Sequence, residues 1–240
     1  MLEEIKKRVW AANIRLKNEG LISLTWGNAS AFVPQKGVVV IKPSGVNYEN
    51  LEPDDMVVVD LDGSIVEGKL RPSSDTATHI ELYKSLDGVS GIVHTHSTMA
   101  TAWAQALRAI PCYGTTHADT FKGSIPVTRW LTEKEVSAGY EINIGRAIVE
   151  VVNTNEPLAC PAALVAGHGP FTWGVDVEAA IDASIALEHV SNMAYVAEML
   201  GCCQNVKAMA QLPEHVANKH FMRKHGASAY YGQGNGNTTL

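Results

Sequence analysis

The stretch AFVPQKGVVVIKPSGVNYENLEPDDMVVV, residues 31–59, carries three short apolar runs, and their spacing decides the fold. Ala31-Phe32-Val33, Val38-Val39-Val40-Ile41 and Met56-Val57-Val58-Val59 are dominated by β-formers. Clusters of Gly, Pro, Asn and Asp separate them, among them Lys42-Pro43-Ser44-Gly45 and Pro53-Asp54-Asp55. Short apolar runs between turn-formers read as strands. Short turns such as 34–37 favour antiparallel neighbours, because a parallel pair needs a longer crossover.

Helices flank these strands. Leu2, Ile5, Val9, Ala12 and Leu16 recur at helical spacing, and Gly20 ends the pattern. Ser73 and Ser74 are candidate N-caps of a helix reaching Leu86, with Ala77, Ile80 and Tyr83 on one face. Ile92-Val93 leads as a strand into His94-Thr95-His96, and an alanine-rich helix covers Ser97 to Leu107. A helical pair is expected over 132–152, a buried strand over Ala162–Ala166, and a long helix over 177–200. A last helix runs from Pro213, at N1, to His225. No repeat or interior linker appears. The expectation is an α/β fold, a single three-layer domain whose central, mainly antiparallel β-sheet is flanked by helices. It spans residues 1–233, with 234–240 as a flexible C-terminal tail.

Composition narrows the function. The chain has 240 residues, 46% hydrophobic and 18% charged, with 19 Lys plus Arg against 25 Asp plus Glu, a net charge of −6. An acidic chain lacks the field that nucleic-acid binding favours. No apolar stretch approaches the ~20 residues of a membrane span. The N-terminus MLEEIKKRVWAAN has no apolar signal core, and Cys112, Cys160, Cys202 and Cys203 show no CxxC spacing. A cytoplasmic protein with reduced thiols is expected.

Nine histidines stand out. His94 and His96, at i and i+2 of a strand, point to one face. His168 lies between two glycines at the end of another apolar strand, where ligand and backbone can approach closely. Three neutral imidazoles and one carboxylate suit zinc or a similar divalent ion, with manganese and cobalt as alternatives. Asp75 is the carboxylate that the pattern offers, although an acid in a first helical turn also complements the helix dipole. Three separately satisfied histidines are the competing reading. Two glycine-containing turns, Thr25–Ser30 and Lys42–Gly45, together with Ser73-Ser74, offer hydroxyls and N–H groups to a phosphate. Lys42 supplies the only cation in the three segments.

Gly27-Asn28-Ala29-Ser30, Lys42-Pro43-Ser44-Gly45, Arg71-Pro72-Ser73-Ser74-Asp75-Thr76, His94-Thr95-His96-Ser97, Thr116-His117-Ala118-Asp119 and Gly167-His168-Gly169 follow one another in a specific order. This series resembles the class II aldolase/epimerase family over nearly the whole chain. The resemblance implies that His94, His96 and His168 bind zinc with Asp75 beside it. It also implies that Asn28, Lys42, Ser44, Gly45, Ser73 and Ser74 bind a substrate phosphate, and that Asp119 and Tyr231 are the acid/base pair. Thr115, Glu141, His220 and Arg223 match positions near the site, some of them supplied by a neighbouring subunit of a homotetramer. The family's aldolases carry glutamate at position 75 and its epimerases aspartate, so the implied activity is epimerisation of a phosphorylated pentulose by retro-aldol chemistry. A class II sugar-phosphate aldolase, and a non-catalytic domain of the adducin kind, are the alternatives.

Overall fold

The computed structural model describes residues 1–204, 209–225 and 229–230. Tyr231 and the tail 234–240 lie outside the described residues. Seven strands, β1 (Asn28–Val33), β2 (Val38–Ile41), β3 (Val57–Asp60), β4 (Ile65–Glu67), β5 (Gly91–His94), β6 (Ala162–Leu164) and β7 (Pro170–Gly174), form one sheet. Their order is β4-β3-β2-β1-β5-β7-β6. All six pairings between these strands are antiparallel.

The valine runs explain why the sheet lies between two layers. Val38 and Val40 face one core with Val9, Leu16 and Ile181, whereas Val39 and Ile41 face another with Ile80, Ile144 and Trp173. A strand buried on both faces needs a continuous apolar run, as in Val38–Ile41. Helices α1 (Leu2–Asn18) and α6 (Val177–Cys203) cover the first face, and α2 (Thr76–Ser85) and α5 (Glu133–Val151) cover the second. Helices α3 (Thr98–Gln105), α4 (Thr115–Ala118) and α7 (Glu214–His225) complete the fold. A third apolar cluster joins α3, β6 and α6 through Trp103, Leu164 and Leu187. The expected three-layer α/β domain is what forms.

Several boundaries differ from expectation. Helix α2 begins at Thr76, with Asp75 at its N-cap, so Ser73 and Ser74 precede it. Thr76 Oγ1 donates to the Ser73 carbonyl at 2.6 Å, and that turn delays the helix. Asp75 is therefore the cap position and no first-turn acid. Strand β5 ends at His94, which puts His96 beyond the ladder. The helical pair expected over 132–152 does form, its two helices meeting at a kink at Gly139, where φ is 147°. Strands β4 and β7 and the short α4 carry no pattern strong enough to announce them. Ile65 and Val66 of β4 are exposed on an edge, and the apolar core of β7 is confined to Phe171–Trp173. Among the described residues the four cysteines are free, as expected.

Candidate metal centre and adjoining cavity

Two interior strands deliver the histidines. His94 closes β5 and pairs in register with Phe171 of β7, whose ring stacks on the imidazole at 4.2 Å and 17°. His94 Nδ1 donates to the Pro170 carbonyl at 3.0 Å, which leaves the Nε2 lone pair facing outward from the strand. His96 Nε2 lies 3.1 Å from it. His168 arrives on the tight turn between β6 and β7, where Gly167 adopts φ +66°. Trp130 lies over Gly167 so closely that a Cβ there would meet the indole at 2.2 Å. The three ring pairs have centroids 4.8 to 4.9 Å apart, and one nitrogen from each ring falls within 4.8 Å of the others.

The electrostatics suit a cation. Burial, together with the neighbouring His94 and His96, pulls the His168 imidazole down to about 4, and burial also lowers His96. Both rings are neutral at pH 7 and offer lone pairs. His168 Nδ1 is buried with no hydrogen-bond partner among the described residues. Neutral imidazoles converging this closely, one with an orphaned nitrogen, match the donor set of a divalent ion. Asp75 lines the same cavity, but its carboxylate is not one of the convergent set. Asn28 Nδ2 donates to Asp75 Oδ2 at 2.7 Å and holds it aside. Burial raises the Asp75 pKa, yet His94, His79 and the Asn28 bond outweigh it, and the group stays below the ordinary carboxylate value.

The cavity has a volume of about 280 Å³ and joins the histidines to Asn28, Lys42, Ser44, Gly45, Ser73, Ser74 and Asp75. All ten residues expected of the metal and phosphate sites therefore meet in one place. Lys42 is the only Lys or Arg among the lining residues and is 1% exposed. Its Nζ lies 4.6 Å above the Tyr48 ring, and burial lowers the amine to about 8. Two of the expected amide donors are already used. Ser44 N donates to Arg71 O and Ser73 N to Lys42 O, each at 3.0 Å, which straps the two turns together. Hydroxyls, the lysine and the remaining amides are left for an anion.

The structure also supplies residues that no spacing signalled. Tyr48 Oη donates to the Gly27 carbonyl at 2.8 Å while its ring underlies Lys42. Gly27 has φ +93°, and a Cβ there would come within 2.7 Å of His94 O, so Tyr48 links the lysine wall to the histidine wall. Trp26 and Tyr140 flank the centre, with centroids 6.1 Å from His96 and 6.2 Å from His168.

Asp119 gathers elsewhere. At the end of α4 it accepts from His220 Nδ1 at 3.0 Å and from Arg223 Nε and Nη2 at 3.0 and 2.6 Å, tying α4 to α7. Burial opposes its ionisation, but Arg223, His220 and Lys224 hold its pKa below the ordinary value. Thr115 begins α4, and Glu141 offers its carbonyl to Thr78. None of Asp119, Thr115, Glu141, His220 and Arg223 lines the histidine cavity of its own chain.

Fold and site define the chain first as an aldolase-type α/β domain with a three-histidine centre beside a lysine-lined cavity. Residues 7–195 match the family described as Class II Aldolase and Adducin N-terminal domain. The chain is 51% identical over 232 residues to L-ribulose-5-phosphate 4-epimerase UlaF of Salmonella paratyphi B, covering 97% of this chain and all of that protein. A solved L-fuculose 1-phosphate aldolase superposes with TM-score 0.75 at 25% identity, covering 90% of this chain and 94% of that one. The L-fuculose-1-phosphate aldolase of Thermus thermophilus gives TM-score 0.64 at 25% identity, covering 82% and 97%. The chain belongs to the class II aldolase/adducin family.

Proposed function

We propose that this chain interconverts L-ribulose 5-phosphate and D-xylulose 5-phosphate as a metal-dependent 4-epimerase. The observation that carries the reading is the meeting of three convergent imidazoles and one buried lysine in a single cavity, in a chain half identical to an enzyme of that name. Lys42, Asn28, Ser44, Gly45, Ser73 and Ser74 hold the phosphate. His94, His96 and His168, with Asp75 beside them, would hold a divalent ion, which would supply Lewis acidity for the negative charge that develops on the substrate; zinc would suit the imidazoles, and manganese or cobalt could replace it.

Carbon 4 has no adjacent carbonyl, so direct deprotonation there would leave an unstabilised carbanion. A base instead takes the carbon 4 hydroxyl proton. The oxygen electrons form a new carbonyl, the bond between carbons 3 and 4 breaks, and its pair passes to the enediolate of dihydroxyacetone. Glycolaldehyde phosphate, still held by Lys42, rotates about its remaining bonds, presents its other face and re-adds. Alcohols of both configurations form, so two proton-transfer groups are needed, and Asp119 and Tyr231 fill those roles. Asp119 lies outside its own chain's cavity, which supports a homotetramer with sites at subunit interfaces, where a neighbouring subunit supplies Asp119 and some of Thr115, Glu141, His220 and Arg223. The setting is cytoplasmic, and residues 1–233 act as one domain. Asp75 is tethered by Asn28 and is a methylene shorter than an aldolase glutamate, which fits a supporting role better than proton transfer.

The test is a direct assay. The purified chain with zinc should convert L-ribulose 5-phosphate to D-xylulose 5-phosphate without accumulating cleavage products. Accumulation of free dihydroxyacetone with glycolaldehyde phosphate would mark an aldolase instead. Tyr231→Phe should slow turnover by about 10²-fold or more, unequally in the two directions. Normal rates both ways would remove Tyr231 from the acid/base pair.

A further inference from the structure

Helix α2 and strand β1 share a buried seam. Asn28 Nδ2 meets Asp75 Oδ2 at 2.7 Å, Ser30 Oγ meets His79 Nδ1 at 2.7 Å, and Phe32 stacks on Tyr83 at 5.3 Å and 28°. The partners step by two along the strand and by four along the helix. Two strand residues rise ~6.7 Å and four helical residues ~6.0 Å, so the two ladders stay in phase over three rungs. The middle rung is polar although wholly buried, with His79 and Ser30 both 0% exposed.

Ser30 Oγ lies between two partners, 2.7 Å from His79 Nδ1 and 2.8 Å from Tyr83 Oη. Tyr83 Oη donates its single hydrogen to the Ser30 carbonyl at 3.0 Å. Ser30 Oγ and His79 Nδ1 share one hydrogen bond whichever of the two carries the hydrogen, and the ring's other nitrogen is Nε2. Nε2 has no partner among the described residues. Burial holds the ring neutral, its pKa lowered to about 3, so it adds no charge to the core. An apolar side chain would fill the space without leaving a polar atom unpaired. The imidazole is explained by what its Nδ1 does.

We infer that His79 is a positioning residue: the Ser30–His79 hydrogen bond sets the register of α2 on β1 and so fixes where Asp75, one turn away, presents its carboxylate to the histidine centre. The inference rests on the proposed reading of Asp75 as the carboxylate beside the metal. It is distinct from the Asn28 contact, which touches Asp75 directly.

The experiment measures zinc affinity of the whole protein by competition with a fluorescent chelator, alongside thermal denaturation. Ser30→Ala and His79→Leu should each weaken zinc by about tenfold, as loss of a partner that orients a ligand does. His79→Asn places an amide oxygen near the Nδ1 position and should stay within about threefold of the parent by the same reasoning. A merely structural role would lower the melting temperature and leave zinc affinity unchanged well below it. Ser30→Ala removes one hydroxyl only, so it reads the effect even if His79→Leu does not fold. Should Asp75→Asn weaken zinc while Ser30→Ala does not, the positioning role fails and the reading of Asp75 survives. If Asp75→Asn leaves zinc affinity unchanged, or the parent binds no zinc, the reading fails and the inference falls with it.

Discussion

His94→Ala is expected to abolish stoichiometric divalent-ion binding and turnover together. His94 is the hinge of the centre. Its Nδ1 is committed to Pro170, its ring is clamped on Phe171, and its Nε2 lies 3.1 Å from that of His96. Losing it reduces three convergent nitrogens to two, and Asp75, held by Asn28 outside the convergent set, does not replace the third ligand a zinc site needs. Lewis-acid stabilisation of developing charge is worth several kcal/mol, so turnover should fall by about 10³-fold or more. The protein itself should still fold. β5 keeps its ladders to β1 and β7, which are made by backbone. Metal content by mass spectrometry, turnover, and far-ultraviolet circular dichroism separate the cases. Full metal content in a folded variant would overturn the metal centre. Loss of secondary structure would show that His94 serves the sheet.

How far the site could be read from sequence depends on how local each contact is. His94 and His96 were legible because one step of two along an extended chain aligns their side chains, and alignment survives the end of β5 at His94 itself. Lys42 was legible as the lone cation among three turns. Tyr48 was not. It acts on Lys42 six residues back and on Gly27 twenty-one residues back, and neither spacing belongs to a strand or helix period. The Asp119 cluster draws on partners more than a hundred residues away, beyond any pattern in one chain. In the fold, strands buried on both faces announced themselves through unbroken valine runs. β4 did not, because an exposed three-residue edge strand has no apolar face to reveal. The start of α2 was misplaced by the same local chemistry that makes the cavity. Serines that suit an N-cap form a preceding turn, and this leaves Asp75 at the cavity rim.

Lys42→Met should separate binding from stability. In the unliganded protein Lys42 is an ammonium with no carboxylate partner, and burial alone lowers it from 10.5 to about 8. Removing it should cost substrate affinity, because a hydrogen bond to a charged group contributes about 1.5–3 kcal/mol. kcat/KM should fall by about 10²-fold. The same change should raise the melting temperature, since a buried charge with only the Pro43 carbonyl and the Tyr48 ring for partners opposes folding. The pH dependence has a definite sign. Between about 8 and 10.5 the unfolded chain retains a proton that the folded chain has released, so parent stability rises with pH across that window, by at most about 3 kcal/mol. Phosphate binding needs the proton that folding disfavours, so kcat/KM, which reports the free enzyme, should decline as pH rises through about 8. The variant should lose both slopes. A variant with parental kcat/KM would show that the phosphate is held without Lys42. One that loses kcat/KM while melting lower would show that the ammonium stabilises the turn and is not a burden carried for its ligand.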